Sequence, residues 1–86
     1  MKITFDPAKD EWTKQVRGLS LSLGETIIRN QVANRLDLRK DYGEDRIISY
    51  GYFGDRLHVC IYTLRDDELR IISVRKANKG EVKRNG

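Results

Sequence analysis

Apolar and polar residues alternate along the second half of the chain, a pattern typical of antiparallel strands with one buried face. Strands are predicted over residues 46–53, 56–64 and 69–76. Gly54–Asp55 favours a tight turn between the first two strands, and Arg65–Glu68 favours another between the second and the third. The three strands therefore form a meander.

A two-residue loop at Asp66 and Asp67 would fix the register of the last two strands. Ile61 would then lie opposite Ile72, and His58 opposite Arg75. This register predicts a core face, on which the helices should pack, made of Leu57, Val59, Ile61, Ile72 and Val74. The other face would carry Tyr62, His58, Ser73 and Arg75. A shift of one residue would exchange the two faces.

The first half of the chain predicts a short strand, Lys2 to Phe5, followed by a helix. Asp6 can accept a hydrogen bond as N-cap, and Pro7 suits the first helical position. Gly18 is typical of a helix end. Trp12 and Val16 are four residues apart, so they should share one face of this helix, with Trp12 in the core.

A second helix and a half-exposed strand are predicted next. Ser22 and Glu25 fit a capping box, and Leu23 with Ile27 gives the apolar face. Gly24 should weaken this helix by roughly 1 kcal/mol relative to alanine. The strand contains Val32, Asn34, Leu36 and Leu38 with charges between them, and it leads to a turn at Tyr42–Asp45.

Length and composition indicate one soluble domain covering residues 1–86. Hydrophobic residues make up 38% and charged residues 35%, which is too apolar for a disordered chain. Cys60 and His58 are the only residues of their kinds, so neither an internal disulfide nor a Cys/His zinc site is expected. We expect no cofactor. No stretch resembles a signal peptide or a membrane span, which favours the cytoplasm and no membrane partner.

The positive charge is confined to the end of the chain. From Arg70 onward there are six cations and one carboxylate, whereas the first 69 residues carry eleven cations and twelve carboxylates. A basic cluster at the end of a core strand favours a polyanion or an acidic protein as partner.

Several segments resemble the BrnT family of small ribonuclease toxins from bacterial type II toxin–antitoxin pairs. They are "FDPAK" at Phe5–Lys9, "YGEDRIISYG" at Tyr42–Gly51, "DRLHVCIYT" at Asp55–Thr63 and "LRIISVRKANKGE" at Leu69–Glu81. The resemblance implies an α+β, RelE-like fold: an antiparallel sheet with two N-terminal helices packed on one face and a short C-terminal helix.

The same resemblance implies function and partners. Such proteins cleave RNA, inhibit translation and are neutralised by a cognate antitoxin encoded by a neighbouring gene. The expected antitoxin has a ribbon-helix-helix segment, and operator DNA would be bound only through the toxin–antitoxin complex. The chain departs from the family pattern at Arg17, where members commonly have histidine, and at Thr13, where asparagine is frequent. The alternative is a non-catalytic or decayed toxin-fold module that binds antitoxin or nucleic acid.

Metal-independent RNA cleavage by the neighbouring 2′-OH needs cations around the phosphorane and groups that move protons. Arg75 is the preferred phosphate-binding residue, because arginine matches phosphate oxygens and stays charged. Lys76 and Arg70 are further candidates. Glu81 would be either a base or a group that orients an arginine, and His58 has an imidazole suited to acid–base work.

Tyr62, Lys79 and Lys83 are predicted to bind RNA, the tyrosine by stacking and the lysines by charge. Each candidate has a structural alternative. Basic residues after a strand are commonly solvated, a lone strand histidine is commonly structural, and strand tyrosines commonly pack in a core. No metal site is predicted.

Overall fold

The computed structural model describes residues 1–86 as one five-stranded sheet with three α-helices. The elements are β1 (Lys2–Thr4), α1 (Pro7–Arg17), α2 (Gly24–Arg29), β2 (Gln31–Leu36), β3 (Ile47–Phe53), β4 (Arg56–Arg65), β5 (Glu68–Lys76) and α3 (Lys79–Asn85). The strands lie in the order β1-β5-β4-β3-β2. β1 pairs in parallel with β5 and all other pairs are antiparallel. The predicted α+β class is confirmed, but the sheet is mixed rather than antiparallel.

Helix α1 begins and ends where the sequence predicts. The Asp6 side chain accepts a hydrogen bond from the Ala8 backbone N–H at 2.9 Å, and Gly18 ends the helix with φ of 70°. The predicted core position of Trp12 is wrong, because 44% of its surface is exposed. Its ring instead carries the cations of Lys9 and Arg17 at 5.3 and 5.1 Å from the ring centroid.

Polar residues, not apolar ones, form the buried side of α1. Asp10 and Thr13 are buried there. The Asp10 carboxylate accepts hydrogen bonds from the Leu21 backbone N–H at 2.7 Å and from the Ser20 hydroxyl at 3.0 Å. Hydrogen bonds to the Asp10 carboxylate, rather than apolar contacts, therefore attach this helix to the segment that follows it. The i, i+4 spacing of Trp12 and Val16 predicted a buried apolar face that the helix does not have.

The second helix starts through a 3₁₀ turn, Leu21–Leu23, capped by Ser20. The predicted capping box of Ser22 and Glu25 is therefore wrong, whereas the packing of Leu23 and Ile27 on the core is confirmed. Gly24 is required for close approach to the sheet, because a Cβ there would lie 2.7 Å from Cδ1 of Ile71.

The strand β5 contains one extra residue that changes its register. Asp66 and Asp67 form the predicted two-residue loop, and Tyr62 pairs with Ile71. Beyond that pair a β-bulge intervenes, so Ser73 and not Ile72 lies opposite Ile61. The predicted pairing of His58 with Arg75 is wrong, because Arg75 pairs with Val59 and Lys76 with His58.

The two faces of the sheet differ from those predicted for two reasons. The helices pack on the Cys60 and Tyr62 side of β4, and the bulge changes the face of the β5 residues that follow it. The helix face, on which Leu21 and Ile27 pack, is formed by Cys60, Tyr62, Ile71 and Val74. The opposite face, called the cleft face below, carries Ile48, Tyr50, Leu57, Val59 and Ala77, with Ile61 packed against them. Leu57 and Val59 are buried in a core as predicted, but the expectation that the helices pack against them and Ile61 is wrong. Tyrosine and cysteine side chains face the helices instead.

The last turn of α1 contacts β5 beside the bulge. Nη1 of Arg17 donates to the Ser73 hydroxyl at 3.2 Å and to the Val74 carbonyl at 3.0 Å. Strand β1 pairs with β5 only along residues 68–70, so Arg17 bonds a part of β5 that β1 does not reach. None of the three helices has the length and apolar character needed to cross a membrane.

Candidate functional site

A cleft of about 440 Å³ opens on the cleft face between the β2 side of the sheet and α3. Its floor is apolar and comes from β3 and β4. Three arginines line it, one from β2, one from the segment after β2 and one from β5. The lining residues are Arg35, Leu36, Asp37, Leu38, Arg39, Ile48, Tyr50, Ile61, Arg75 and Glu81. A concave site with three guanidinium groups is suited to a polyanionic ligand.

Arg75 is held by a bidentate ion pair. Its Nη1 and Nη2 donate to the two carboxylate oxygens of Glu81 at 2.7 and 2.8 Å. The hydrogen bonds from Arg75 to Glu81 raise the pKa of the arginine further, so its charge is permanent. Because Val74 on one side and Ala77 on the other are buried, the backbone that carries Arg75 is anchored in the core.

Glu81 links Arg75 to the start of α3. Its carboxylate also accepts from the Asn78 backbone N–H, and the Asn78 side chain accepts from the Glu81 N–H, both at 2.9 Å. This reciprocal pair is a capping box. The hydrogen bonds from Arg75 lower the pKa of Glu81 to about 2, against the opposing effect of burial. A carboxylate so acidic and so fully bonded is suited to orienting Arg75 and is a poor general base.

A second arginine–carboxylate pair lies across the cleft. Arg39 donates through Nε and Nη2 to the buried Asp37 at 2.8 and 2.7 Å, and the Tyr42 hydroxyl donates to the same carboxylate at 3.0 Å. The hydrogen bonds from Arg39 hold the pKa of Asp37 far below its usual range. Sequence reasoning missed this pair, because charges between apolar residues indicated only a half-exposed strand.

Arg35 was missed for the same reason. It pairs with Ile48 across β2 and β3, and its guanidinium carbon lies 5.9 Å from the centroid of the buried Tyr50 ring. Its neighbour Leu38 on the cleft rim is 84% exposed. Cations and exposed apolar side chains thus share one edge of the cleft.

Of the five predicted catalytic residues, the structure brings only Arg75 and Glu81 into this cleft. Arg70 lies near Asp6 and Lys9 and faces Glu68 at 3.9 Å. Lys76 lies beside His58 in a separate depression of about 570 Å³. His58 is 2% exposed, and its Nδ1 lies 2.9 Å from the Arg56 carbonyl oxygen.

The three predicted RNA-binding residues divide in the same way. Tyr62 is 8% exposed and packs in the core on the helix face, so its ring has no free surface on which a base could stack. Lys79 and Lys83 are exposed on α3, which also carries Glu81. The two lysines do not line the cleft, and their binding of RNA stays a prediction.

The cysteine and the acidic side chains offer no further chemistry. Burial raises the pKa of the Cys60 thiol to about 12, so this residue is a core side chain and a poor nucleophile. Nowhere in the chain do three histidine, cysteine, aspartate or glutamate side chains come together in a way that could hold a metal ion.

The chain matches a known protein family over most of its length. The family model described as "Ribonuclease toxin, BrnT, of type II toxin-antitoxin system" matches residues 5–81. No curated protein matches the chain at a significant level.

Proposed function

Because the chain belongs to the BrnT family of ribonuclease toxins of type II toxin–antitoxin systems, we propose that it cleaves RNA without a metal ion in the cleft that holds Arg75. Membership of the family also implies an antitoxin partner. The observation that carries the proposal is the bidentate bond between Arg75 and Glu81, which fixes a permanent cation on the wall of a concave site.

In the proposed reaction the 2′ oxygen attacks the adjacent phosphorus, the bond from phosphorus to the 5′ oxygen breaks, and a 2′,3′-cyclic phosphate forms. Glu81 occupies one edge of the Arg75 guanidinium through Nη1 and Nη2. Nε–H and the second hydrogen of Nη2 make no hydrogen bond within the protein, so they are free to bind the phosphorane oxygens. Charge developing on those oxygens is stabilised most by a cation that needs no reorganisation.

The cleft supplies charge rather than a proton-transfer group. Both of its carboxylates, Glu81 and Asp37, are held ionised by arginine partners. His58 is buried outside the cleft. We propose that water accepts the 2′ proton and protonates the leaving 5′ oxygen. Lys76, Arg70, Lys79 and Lys83 then contribute weaker, longer-range attraction to the RNA backbone.

We further infer the RelE-like relationship of the fold, with α1 and α2 on the helix face. It is supported by the five-stranded sheet, by the packing of Leu21 and Ile27 on that face, and by the capping box that starts α3 beside the cleft.

The proposed partner is an antitoxin with a ribbon-helix-helix segment, encoded by a neighbouring gene, which neutralises the toxin in the cytoplasm and carries the complex to operator DNA. Free arginine donors and the exposed Leu36 and Leu38 make the cleft face suited to an acidic or apolar segment. We expect co-purification of the neighbouring protein and protection of the face that bears Arg75 from hydrogen exchange. Failure to co-purify, or cross-links confined to the surface around Trp12, would contradict this assignment.

The test of the function is cleavage of a labelled RNA in EDTA. Wild-type protein should cleave, and Arg75→Ala should lower the rate by about 10²–10³ or more, the usual effect of losing one preorganised donor. Arg29→Ala is the matched control, because Arg29 pairs with Glu25 on α2, away from the cleft. Full activity of Arg75→Ala, or no wild-type cleavage in EDTA, would refute the mechanism.

The structure requires a second variant in this test. Arg75→Ala leaves the buried Glu81 carboxylate without its partner, which costs about 1–3 kcal/mol or more of folding free energy. A double variant, Arg75→Met with Glu81→Gln, removes the cation without leaving a buried charge. Circular dichroism should show both variants folded, and both should be inactive.

The alternative function is a non-catalytic or decayed toxin that still binds antitoxin or nucleic acid. The observation that favours it is Arg17, which stands where family members commonly have histidine and is engaged with Ser73 and Val74. A folded wild-type protein that binds its antitoxin but causes neither growth arrest nor RNA cleavage would establish this alternative.

A further inference from the structure

The charges of the cleft are unequally matched. Arg75 is paired with Glu81 and Arg39 with Asp37, each through two hydrogen bonds. Arg35 has neither an ion pair nor a hydrogen bond to any carboxylate, although it lines the same cleft. The lining therefore holds three guanidinium groups against two carboxylates, and the uncompensated charge belongs to Arg35.

Because Asp37 and Glu81 neutralise Arg39 and Arg75, the five charged side chains of the lining carry one net positive charge, which resides on Arg35. Carboxylates were available in the neighbouring sequence, since Asp41 and Asp45 follow within ten residues of Arg35. Neither pairs with it; Asp41, for example, accepts from the Gly43 backbone N–H. This net positive charge of the cleft favours a ligand that brings negative charge.

The guanidinium of Arg35 is directed over the sheet by its surroundings. Arg35 pairs with Ile48 at the floor of the cleft, and the buried Tyr50 ring lies beneath its guanidinium. A cation over an aromatic face is attracted by the negative face of the ring. The Arg35 guanidinium donates no hydrogen bond within the protein, so its N–H groups are available to an acceptor.

Arg35 and Arg75 stand on opposite walls of the cleft. Arg35 is on β2 and Arg75 on β5, three strand intervals apart. Neighbouring strands are about 4.8 Å apart, so the two strands are separated by roughly 14 Å across the floor. Arg75 is already proposed to hold the reacting phosphate, and a second anionic group of the same ligand would meet Arg35.

We propose that Arg35 forms a second phosphate subsite of the cleft, which binds a phosphate of the RNA strand next to the one that reacts at Arg75. This inference rests on the proposed function and adds a positioning contact on the opposite wall. The substrate class is single-stranded RNA, because the open cleft with two phosphate-binding walls takes an extended strand. The subsite sets the register of the strand over Arg75 and performs no chemistry itself.

The test measures binding without cleavage. A fluorescent oligonucleotide with 2′-O-methyl groups lacks the attacking hydroxyl, so anisotropy at several salt concentrations reports affinity alone. Arg35→Ala should weaken binding about tenfold, the usual effect of losing a charged hydrogen bond. The slope of log K against log salt should fall by about 0.7, corresponding to one phosphate contact on a single strand.

Two matched variants define the result. Arg29→Ala removes the same charge from α2, away from the cleft, and should change affinity by less than about twofold. Arg35→Lys keeps the positive charge but loses the planar guanidinium that can donate two parallel hydrogen bonds. It should therefore retain the wild-type slope of log K against log salt, with an affinity between those of wild type and Arg35→Ala. The inference is overturned if Arg35→Ala behaves like Arg29→Ala, if Arg35→Lys loses the slope as Arg35→Ala does, or if wild-type protein binds no oligonucleotide.

The outcomes separate this inference from the proposed function. Cleavage of an unmodified RNA by wild-type protein tests the function alone. If wild-type protein cleaves RNA but Arg35→Ala binds the oligonucleotide as tightly as Arg29→Ala, the subsite is refuted and the proposed function stands. If oligonucleotide binding depends on Arg35 but wild-type protein cleaves no RNA, the proposed function is refuted and the phosphate-binding role of Arg35 stands. An oligoglutamate peptide that needs Arg35 where the oligonucleotide does not would show a protein-docking site and refute the inference.

Discussion

Both faces of the sheet bury apolar side chains, but only one of them also carries a charged cleft. The helix face is closed and close-packed: Leu21, Ile27, Cys60 and Val74 are fully buried there, and Gly24 lets the backbone of α2 approach Ile71. The cleft face also buries Tyr50, Leu57 and Val59, but it leaves a cleft whose charged side chains are held by ion pairs between Arg75 and Glu81 and between Arg39 and Asp37. One face provides rigidity, and the other presents charge on that rigid support.

The β-bulge in β5 connects the two faces. Without its extra residue Arg75 would pair with His58 and point toward the helices, whereas the bulge places it opposite Val59 on the cleft face. A site that needs a fixed cation therefore depends on packing behind the sheet as well as on groups inside the cleft. Variants on either face should consequently differ in what they damage, stability on the helix face and charge on the cleft face.

Gly51→Ala should have the largest effect, because it separates α2 from the sheet on the helix face. A Cβ at Gly51 would overlap the carbonyl oxygen of Ile27 and lie 2.9 Å from its carbonyl carbon, and backbone cannot move aside cheaply. We expect a loss of about 3 kcal/mol or more in the free energy of unfolding, measured by urea denaturation. Gly80→Ala in α3 is the control, since its Cβ meets nothing closer than Nη1 of Arg84 at 3.4 Å. Equal destabilisation by the two variants would contradict the contrast between the faces.

Low pH should lower the free energy of unfolding, because protonation of Glu81 removes its ion pair with Arg75 on the cleft face. Its folded pKa of about 2 lies below the ordinary value of 4.5, so the stabilisation from its ion pair is fully present above pH 4.5. That stabilisation, on the order of a few kcal/mol, should be lost as the pH falls from 4.5 through 2. Urea midpoints measured at several pH values should show a smaller acid loss in Glu81→Gln. Glu25→Gln, in an exposed pair on α2, should keep the wild-type pH dependence.

Arg17→Ala tests whether α1 holds the bulge. The variant loses two hydrogen bonds to Ser73 and Val74, which we expect to lower the free energy of unfolding by about 1–2 kcal/mol. RNA cleavage should fall about tenfold, because a looser bulge positions Arg75 less well. Gln15→Ala, on the exposed side of the same helix, is the control and should change neither quantity. Loss of stability with an unchanged cleavage rate would show that Arg17 stabilises the fold but does not help to position the Arg75 guanidinium.

Lys83→Ala should have the smallest effect. Lys83 is exposed on α3 and makes no ion pair, so under the proposed function we expect it to contribute only general attraction to RNA. We expect affinity to fall by less than about twofold at low salt and not at all near physiological salt, where screening is strong. Anisotropy at two salt concentrations measures this. A loss as large as that of Arg35→Ala would mean that α3 is part of the RNA path.

The sequence by itself determined the parts of the fold that depend on neighbouring residues. Asp6, Pro7 and Gly18 bound α1, the glycine and aspartate turns produce the meander, and local alternation marks its strands. The sequence also indicated Arg75 as a phosphate-binding residue at the basic end of a strand, and Glu81 as a base or a group that orients an arginine; the capping box of Glu81 was seen only in the structure. Resemblance to the BrnT family was likewise carried by local segments.

Only the tertiary structure decided which face each side chain occupies. A single extra residue in β5 shifts the register of everything beyond it, and Arg17, 56 residues from Ser73, bonds the strand beside that shift. The extra residue shifts the phase of the alternating pattern, but the adjacent apolar residues Ile71 and Ile72 fit either phase, so the pattern did not locate the bulge. The burial of Asp10, the pairing of Asp37 with Arg39 and the unpaired charge of Arg35 likewise depend on partners that only the folded chain brings together.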